Sequence, residues 1–156
     1  MKYKIKKIQI ACDGGGATGK STGAKLISRK YKLNFLSSGL LYRYASYLIL
    51  KSNPKNKVLF LKKKFRNIKL SKLTSLNLHT QRISDYSAII AKVSGVRKIL
   101  KKFQTNFAKN NKNCCIEGRD ISTKIIPNSD VKFFFKCNLS IAAKRRYMEL
   151  KKKIII

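Results

Sequence analysis

The stretch that most limits what this chain can fold into is DGGGATGKST, at residues 13–22. It directly follows the apolar run IQIAC, and Lys20 opens a stretch whose apolar residues recur at helical spacing. Gly14, Gly19, Lys20 and Ser21 fit the pattern G-x-x-x-x-G-K-[ST]. Between a strand and a helix, such glycines let backbone N–H groups surround a phosphate, and the helix directs its positive end at the same anion. The sequence therefore predicts a phosphate-binding loop, whereas a simple glycine-rich turn would leave Lys20 unexplained.

Each residue type in this loop has a chemical task. Lys20 is expected to reach the β- and γ-phosphates of a nucleotide, and the hydroxyl of Ser21 is expected to bind Mg²⁺. The predicted nucleotide-binding residues are Gly14, Gly15, Gly16, Ala17, Thr18, Gly19, Lys20, Ser21 and Thr22.

The rest of the chain alternates strand-like and helix-like stretches. The predicted strands are KIQIAC, which ends at Cys12, and the runs at 33–39, 113–118 and 130–137. All except the run at 33–39 are predicted to be buried. The predicted helices lie at 20–32, 40–51, 81–109 with a break at Gly95, and 139–152. Strands separated by helices favour a parallel sheet with helices on both faces. Residues 52–80 follow no clear period and predict a small, poorly specified insert.

The charge of the chain has two explanations. Its net charge is +31, from 37 Lys and Arg against 6 Asp and Glu. Such an excess is typical of proteins that bind nucleic acid or an anionic surface. The basic residues are nevertheless spread over the whole chain, as the codon bias of an AT-rich genome would produce. A basic nucleic-acid-binding protein therefore stays an alternative, although no specific nucleic-acid partner is expected.

The cysteines predict buried free thiols rather than a metal site or disulfides. Cys12, Cys114, Cys115 and Cys137 form no C-x-x-C pair, and His79 is the only histidine, so zinc-ligand spacing is absent. All four lie in apolar runs. With no signal peptide and no apolar run near the ~20 residues of a membrane span, a cytoplasmic protein without a membrane partner is expected.

Further motifs follow the loop in a recognisable order. They are SSGLLYR at 37–43, VRKILKKFQT, EGRDIST from Glu117, VKFFFK, and AAKRRYMEL, which ends at Leu150. Together with DGGGATGKST they resemble the successive motifs of bacterial cytidylate kinases, which belong to the nucleoside monophosphate kinases. The resemblance covers residues 8–150 and implies a P-loop NTPase-like α/β fold in a single domain, 1–156.

The resemblance implies an activity and a set of site residues. The activity is transfer of the γ-phosphoryl group of ATP, with Mg²⁺, to CMP or dCMP in pyrimidine nucleotide metabolism, by a protein expected to be a monomer. Whether CMP, dCMP or UMP is preferred stays open. The residues implied for catalysis are Lys20, Arg43, Arg119, Arg145 and Arg146. Those implied for the acceptor are Ser38, Arg43, Arg119 and Asp120, and Ser21 is the implied metal ligand.

The chain also departs from the family pattern. Glu117 stands where the family usually has Asp, and His79 stands where it usually has Arg. The family continues for several dozen residues past KRRYMEL, and its insert is longer than residues 52–80. The resemblance therefore implies a reduced nucleoside-monophosphate-binding insert and an incomplete lid that begins at about 139–156. A nucleotide-binding remnant with weakened catalysis is a second alternative.

Overall fold

The structure is a computed structural model that describes residues 7–68 and 70–154. The strands in these ranges are β1 (Gln9–Gly14), β2 (Asn34–Ser37), β3 (Cys114–Gly118) and β4 (Val131–Phe135). The helices are α1 (Lys20–Lys30), α2 (Ser38–Ser52), α3 (Lys57–Lys64), α4 (Ser71–Ser75), α5 (Gln81–Ile90), α6 (Ser94–Asn110) and α7 (Leu139–Ile154). A single π-helical turn, Ile121–Ile125, follows β3. Lys69 of the predicted insert and residues 155–156 of the predicted lid region lie outside the described residues.

The strands form one sheet in the order β2-β3-β1-β4. β1 is central and pairs in parallel with both neighbours, so that Cys12 lies opposite Glu117 on one side and Phe133 on the other. The predicted parallel sheet with helices around it is confirmed. Because β1 and β3 are parallel neighbours, their carboxyl ends meet at one edge, where open α/β sheets bind their ligands.

The contacts between Cα atoms divide the chain into two compact units. The first contains the described residues up to Leu36 and from Asn111 onward, and the second contains Ser37–Asn110. In the first unit, α1 covers one face of β1 and β3. The buried cluster beneath it consists of Ile10, Cys12, Ala24, Leu33 and Cys115. Burial of these apolar side chains holds the helix that follows the phosphate-binding loop against the sheet.

The burial predicted for the strand at 130–137 is wrong. β4 is half-buried to exposed along its length, and the side chains of Phe133 and Phe134 are 41% and 65% exposed. The reason is its place in the sheet: β4 pairs with β1 on one side, and at the end of the strand order it has no second neighbour among the described strands. A short apolar run does not distinguish a central strand from an edge strand.

The second unit consists of α2 to α6. Helix α2 packs against α5, and α3 packs against α6. Aromatic rings connect the helices: the ring centroids of Tyr44 and Phe65 are 6.1 Å apart, and those of Phe65 and Phe103 are 5.8 Å apart, both edge to face. Such edge-to-face pairs stabilise a core beyond the area that they bury.

The prediction that residues 52–80 are poorly specified is wrong, because two helices form there. Asn56 caps α3 by accepting the backbone N–H of Leu59 at 2.9 Å. Leu61, Leu73 and Leu78 are buried and anchor the segment. These anchors are single leucines among lysines, and they give no regular period from which helices could be predicted.

The predicted break in the helix at 81–109 is present, but it lies at residues 91–93. Gly95 is the second residue of α6. A Cβ atom at Gly95 would lie 3.0 Å from the methyl groups of Val58. The glycine therefore permits the close approach of α3 to α6 instead of interrupting the helix.

The cysteines are free thiols, as predicted. The predicted burial is confirmed for Cys12, Cys114 and Cys115 and is wrong for Cys137, which is half-buried because it follows the exposed edge strand β4. The sulfur atoms of Cys12 and Cys115 are 3.7 Å apart. The Cys115 thiol and burial raise the pKa of Cys12, and burial raises the pKa of Cys114 to about 11. Within the described ranges, no helix is long and apolar enough to cross a membrane.

These environments predict unequal thiol reactivity. Thiolate is the reactive form of cysteine. The Cys115 thiol and burial raise the pKa of Cys12, and burial raises the pKa of Cys114, so both stay protonated at pH 8. The contact with Cys12 lowers the pKa of Cys115, but this side chain is fully buried and out of reach of a reagent in solution. An aromatic disulfide reagent at pH 8 should therefore modify Cys137 well before the three buried thiols, which should react only after unfolding in guanidinium. Peptide mass mapping of the partly labelled protein checks the order. Labelling of Cys114 as fast as Cys137 would contradict this prediction.

Candidate active site

The loop between β1 and α1 has the backbone conformation that its glycines make possible. Gly19 is the residue before α1 and has a left-handed φ of 85°, which glycine adopts without steric cost. Ala17 is also left-handed, with φ 57°. The backbone N–H of Gly23 donates to the carbonyl of Gly19 at 2.9 Å, which closes the first turn of α1. The predicted order of strand, loop and helix is confirmed.

The amino end of α1 is suited to an anion. No side chain caps it in the described part of the chain, and its first turn contains no acidic residue. The first N–H groups of a helix lack partners within the helix, and the helix dipole adds a partial positive charge at the same end. Ser21 and Thr22 lie in this turn and are exposed. Thr18 donates its hydroxyl to the carbonyl of Gly15 at 3.1 Å, which folds the loop on itself.

Lys20 forms an ion pair with Glu117, in which Nζ donates to Oε2. The side chains are 12% and 2% exposed. Glu117 belongs to β3, so the pair joins the helix after β1 to the end of the neighbouring strand. A carboxylate this deeply buried is costly unless a cation or N–H donors lie beside it, and Lys20 is such a cation. The predicted phosphate-binding lysine is thus held at the carboxyl edge of the sheet.

Asp13 fixes the segment that follows β3. Its two carboxylate oxygens accept the backbone N–H groups of Ile121 and Ser122 at 2.7 and 2.8 Å. Asp13 is 3% exposed. Asp13 is the second-last residue of β1, next to the glycine loop. Its bonds therefore tie Arg119 and Asp120, which precede those two amides, to the base of the loop. The sequence signal for this role is only an acidic residue at the end of a buried strand.

An open cavity of about 460 Å³ lies beside the loop. It is lined by Ala17, Thr18, Gly19, Thr22, Gly23, Phe135 and Arg145. Arg145 of α7 donates from Nη1 to the carbonyl of Ala17 at 3.5 Å, so the structure brings this predicted residue to the loop. Phe135 and Gly23 were not among the predicted residues. A Cβ atom at Gly23 would lie 2.6 Å from the Phe135 ring, so the ring forms a wall of the cavity only because residue 23 is glycine.

The remaining predicted residues of the first unit lie near these contacts or on α7. Arg119 is exposed and Asp120 is half-buried, and both precede the π-helical turn. Asp120 accepts the backbone N–H of Lys124 through its carbonyl at 2.9 Å. Arg146 lies next to Arg145 on α7 and is half-buried.

The other predicted acceptor residues belong to the second unit. Ser38 is buried in the first turn of α2, directly after the cap residue Ser37, whose Oγ accepts the N–H of Leu40 at 3.2 Å. Arg43 is half-buried on the same helix, and its Nη1 lies 2.6 Å from Nδ1 of His79. The structure therefore puts Ser38 and Arg43 on one helix and adds His79, which the sequence marks only as a departure from the family pattern.

Comparison with known proteins assigns the chain to a family. Residues 10–155 match the family model described as cytidylate kinase. The chain belongs to the cytidylate kinase family. A protein named cytidylate kinase from Bartonella tribocorum is 37% identical over 155 residues, which are 96% of this chain and 70% of that protein. Others of that name, from Rickettsia akari and Mesomycoplasma hyopneumoniae, are 35% and 36% identical, with 95% and 91% of this chain and 67% of each relative covered.

Membership of the cytidylate kinase family confirms the resemblance that the motifs indicated. The chain spans about 70% of the length of its Bartonella relative. Among the described residues there is no group of three or more His, Cys, Asp and Glu side chains that could hold a metal ion. Mg²⁺ takes most of its ligands from substrate phosphates and water, and the exposed hydroxyl of Ser21 in the first turn of α1 fits that donor set.

The contacts of Asp13 predict a large loss of stability on removing its charge. In Asp13→Asn, one buried N–H would face an amide NH₂ instead of a carboxylate oxygen. We expect the free energy of unfolding in urea to fall by about 2–4 kcal/mol. The matched control is Asp130→Asn, because exposed Asp130 also accepts a backbone N–H, that of Gln9, at 2.8 Å. The control should cost less than about 1 kcal/mol, and equal losses in both variants would contradict the role of Asp13.

Proposed function

We propose that this protein is a cytidylate kinase that transfers the γ-phosphoryl group of ATP to CMP or dCMP. The observation that carries the proposal is the uncapped amino end of α1, with Lys20 held beside it at the carboxyl edge of the sheet by Glu117. The family match and the names of the relatives support the same activity. A role in binding nucleic acid would account for the charge of +31, but not for this arrangement.

The donor site is assigned to the loop and the first turn of α1. We assign the ATP phosphates to the backbone N–H groups of Gly14 to Gly19 and of the first turn of α1. Thr22 lies in the same turn and belongs to this site. When ATP binds, the ammonium group of Lys20 leaves the Glu117 carboxylate and contacts the β- and γ-phosphates. Mg²⁺, which Ser21 would hold, supplies further neutralisation of phosphate charge when it is bound.

The acceptor site is assigned to Ser38, Arg43, Arg119 and Asp120. Phosphoryl transfer requires positioning and charge neutralisation more than covalent chemistry by the protein. The guanidinium groups of Arg43 and Arg119 are suited to a phosphate because their planar N–H donors match its oxygens. The bonds of Asp13 to the turn after Arg119 support a fixed position for this arginine.

Arg145 and Arg146 are assigned to the lid, where their positive charges cover the γ-phosphoryl group during transfer. The bond from Arg145 to the Ala17 carbonyl supports a role of α7 at the donor loop. Water exclusion by such a cover protects the transferred phosphoryl group from hydrolysis. We assign residues 1–156 to one kinase domain, acting on small molecules as a monomer, in which 52–80 are a reduced acceptor insert and 139–156 begin the lid.

Removal of the Lys20 charge tests the donor site. Lys20→Met alone would leave Glu117 buried without its cation, so the informative variant is Lys20→Met combined with Glu117→Gln, compared with Glu117→Gln alone. The double variant should lose at least about tenfold in kcat/KM, because a lost charge contact to the transferred phosphate costs at least about 1.4 kcal/mol. The readout is a coupled assay of ADP release. Lys25→Met, at an exposed position of α1, should remain within about twofold of the parent.

The same assay with CMP, dCMP, UMP and AMP tests the acceptor class. CMP and dCMP should be phosphorylated with the highest kcat/KM. A double variant within threefold of Glu117→Gln would contradict the role of Lys20. Turnover of AMP above that of CMP and dCMP would contradict the proposed acceptor.

A further inference from the structure

The second unit contains a pair of side chains whose function the family pattern does not give. Nη1 of Arg43, on α2, lies 2.6 Å from Nδ1 of His79, in the segment between α4 and α5. Arg43 is half-buried and His79 is exposed. At this distance the two nitrogens share a hydrogen bond.

The chemistry of the two groups fixes the direction of this bond. A guanidinium group has only donors, so Nδ1 of His79 must be the acceptor. The imidazole is then neutral, with its proton on Nε2. His79 therefore acts on Arg43 as a neutral acceptor.

The backbone on both sides of His79 is anchored. Leu78 is fully buried. Thr80 caps α5 by accepting the N–H of Ile83 at 3.3 Å. The imidazole is thus attached to a short segment that is fixed at both ends, and it can hold the end of the long, flexible Arg43 side chain in one direction.

The neutrality of His79 matters for an anionic ligand. A carboxylate partner would cancel much of the charge of an arginine, as Glu117 does for Lys20. The contact with His79 orients Arg43 and adds no negative charge. Asp85 is the one acidic residue in the sequence from 37 to 110, and its Oδ1 accepts Nε2 of Gln81 at 2.6 Å. The unit that carries Arg43 is therefore strongly positive and attracts anions.

We propose that His79 is a positioning residue for the acceptor phosphate. It directs the guanidinium group of Arg43 so that its other N–H donors meet the phosphate of a nucleoside monophosphate. The inference rests on the proposed function, because that function makes Arg43 an acceptor residue. This bond removes part of the freedom of the Arg43 side chain before the ligand arrives, so less conformational entropy is lost on binding.

The test compares His79→Ala with His79→Asn by calorimetry, using CMP and cytidine as ligands. Asparagine keeps an acceptor oxygen at the δ position, whereas alanine removes the acceptor. We expect His79→Ala to weaken CMP binding about tenfold, by lost preorganisation of one arginine. Binding of cytidine should not change, and His79→Asn should bind CMP within about threefold of the parent. Gln81→Ala, an exposed change two residues away, is the matched control and should leave both affinities unchanged.

Steady-state assays add a second readout, in which His79→Ala should raise KM for CMP while KM for ATP stays the same. Unchanged CMP affinity in His79→Ala, an equal loss for cytidine and CMP, or failure of His79→Asn to restore binding would each overturn the inference. CMP binding that depends on His79 without any turnover would overturn the proposed function and leave the inference standing. Absence of CMP binding in the parent would overturn both.

Discussion

The buried carboxylate of Glu117 is the constraint on which the arrangement of the candidate site depends. A carboxylate that is 2% exposed at the end of a central strand is costly to bury, and Lys20 offsets that cost with a positive charge. The pair fixes the first turn of α1 over the ends of β1 and β3. Asp13 adds a second connection at the same edge, since it holds the turn after β3 through two backbone amides. Glu117 thus holds a cation, and Asp13 holds the turn after Arg119, at the edge of the sheet where phosphates are proposed to bind.

The two proposed phosphate-binding cations are held by different chemistry. Lys20 has a carboxylate partner, so an incoming phosphate must displace a negative charge before it gains the full attraction of the ammonium group. The contact of Arg43 with His79 brings no negative charge, so at this contact a phosphate has no charge to displace. Glu117 and His79 are also two positions at which the sequence departs from the motif pattern that it resembles, where aspartate and arginine are expected.

What could be predicted from the sequence was local. The glycine loop between a strand and a helix is a contiguous pattern, and each of its residues has a function that depends mainly on its neighbours in the chain. The exposure of β4 could not be predicted, because an apolar run looks the same in sequence at the edge and at the centre of a sheet. The helices within 52–80 could not be predicted, because their single buried leucines show no helical period. The roles of Asp13 and His79 depend on partners 108 and 36 residues away. Contacts between residues so far apart in the chain produce no regular pattern in the sequence from which they could be predicted.

Gly14 of the loop motif and Gly23 of α1 are also required for packing against Phe135. A Cβ atom at Gly14 would lie 2.5 Å from the carbonyl oxygen of Phe135, and one at Gly23 would lie 2.6 Å from its ring. Phe135 ends β4, the edge strand, and the same ring lines the cavity beside the loop. The shape of the loop and of its cavity therefore depends on how closely β4 approaches β1. A side chain at either glycine would move Phe135, so substitutions there would disturb the site by packing even where they leave the backbone N–H groups in place.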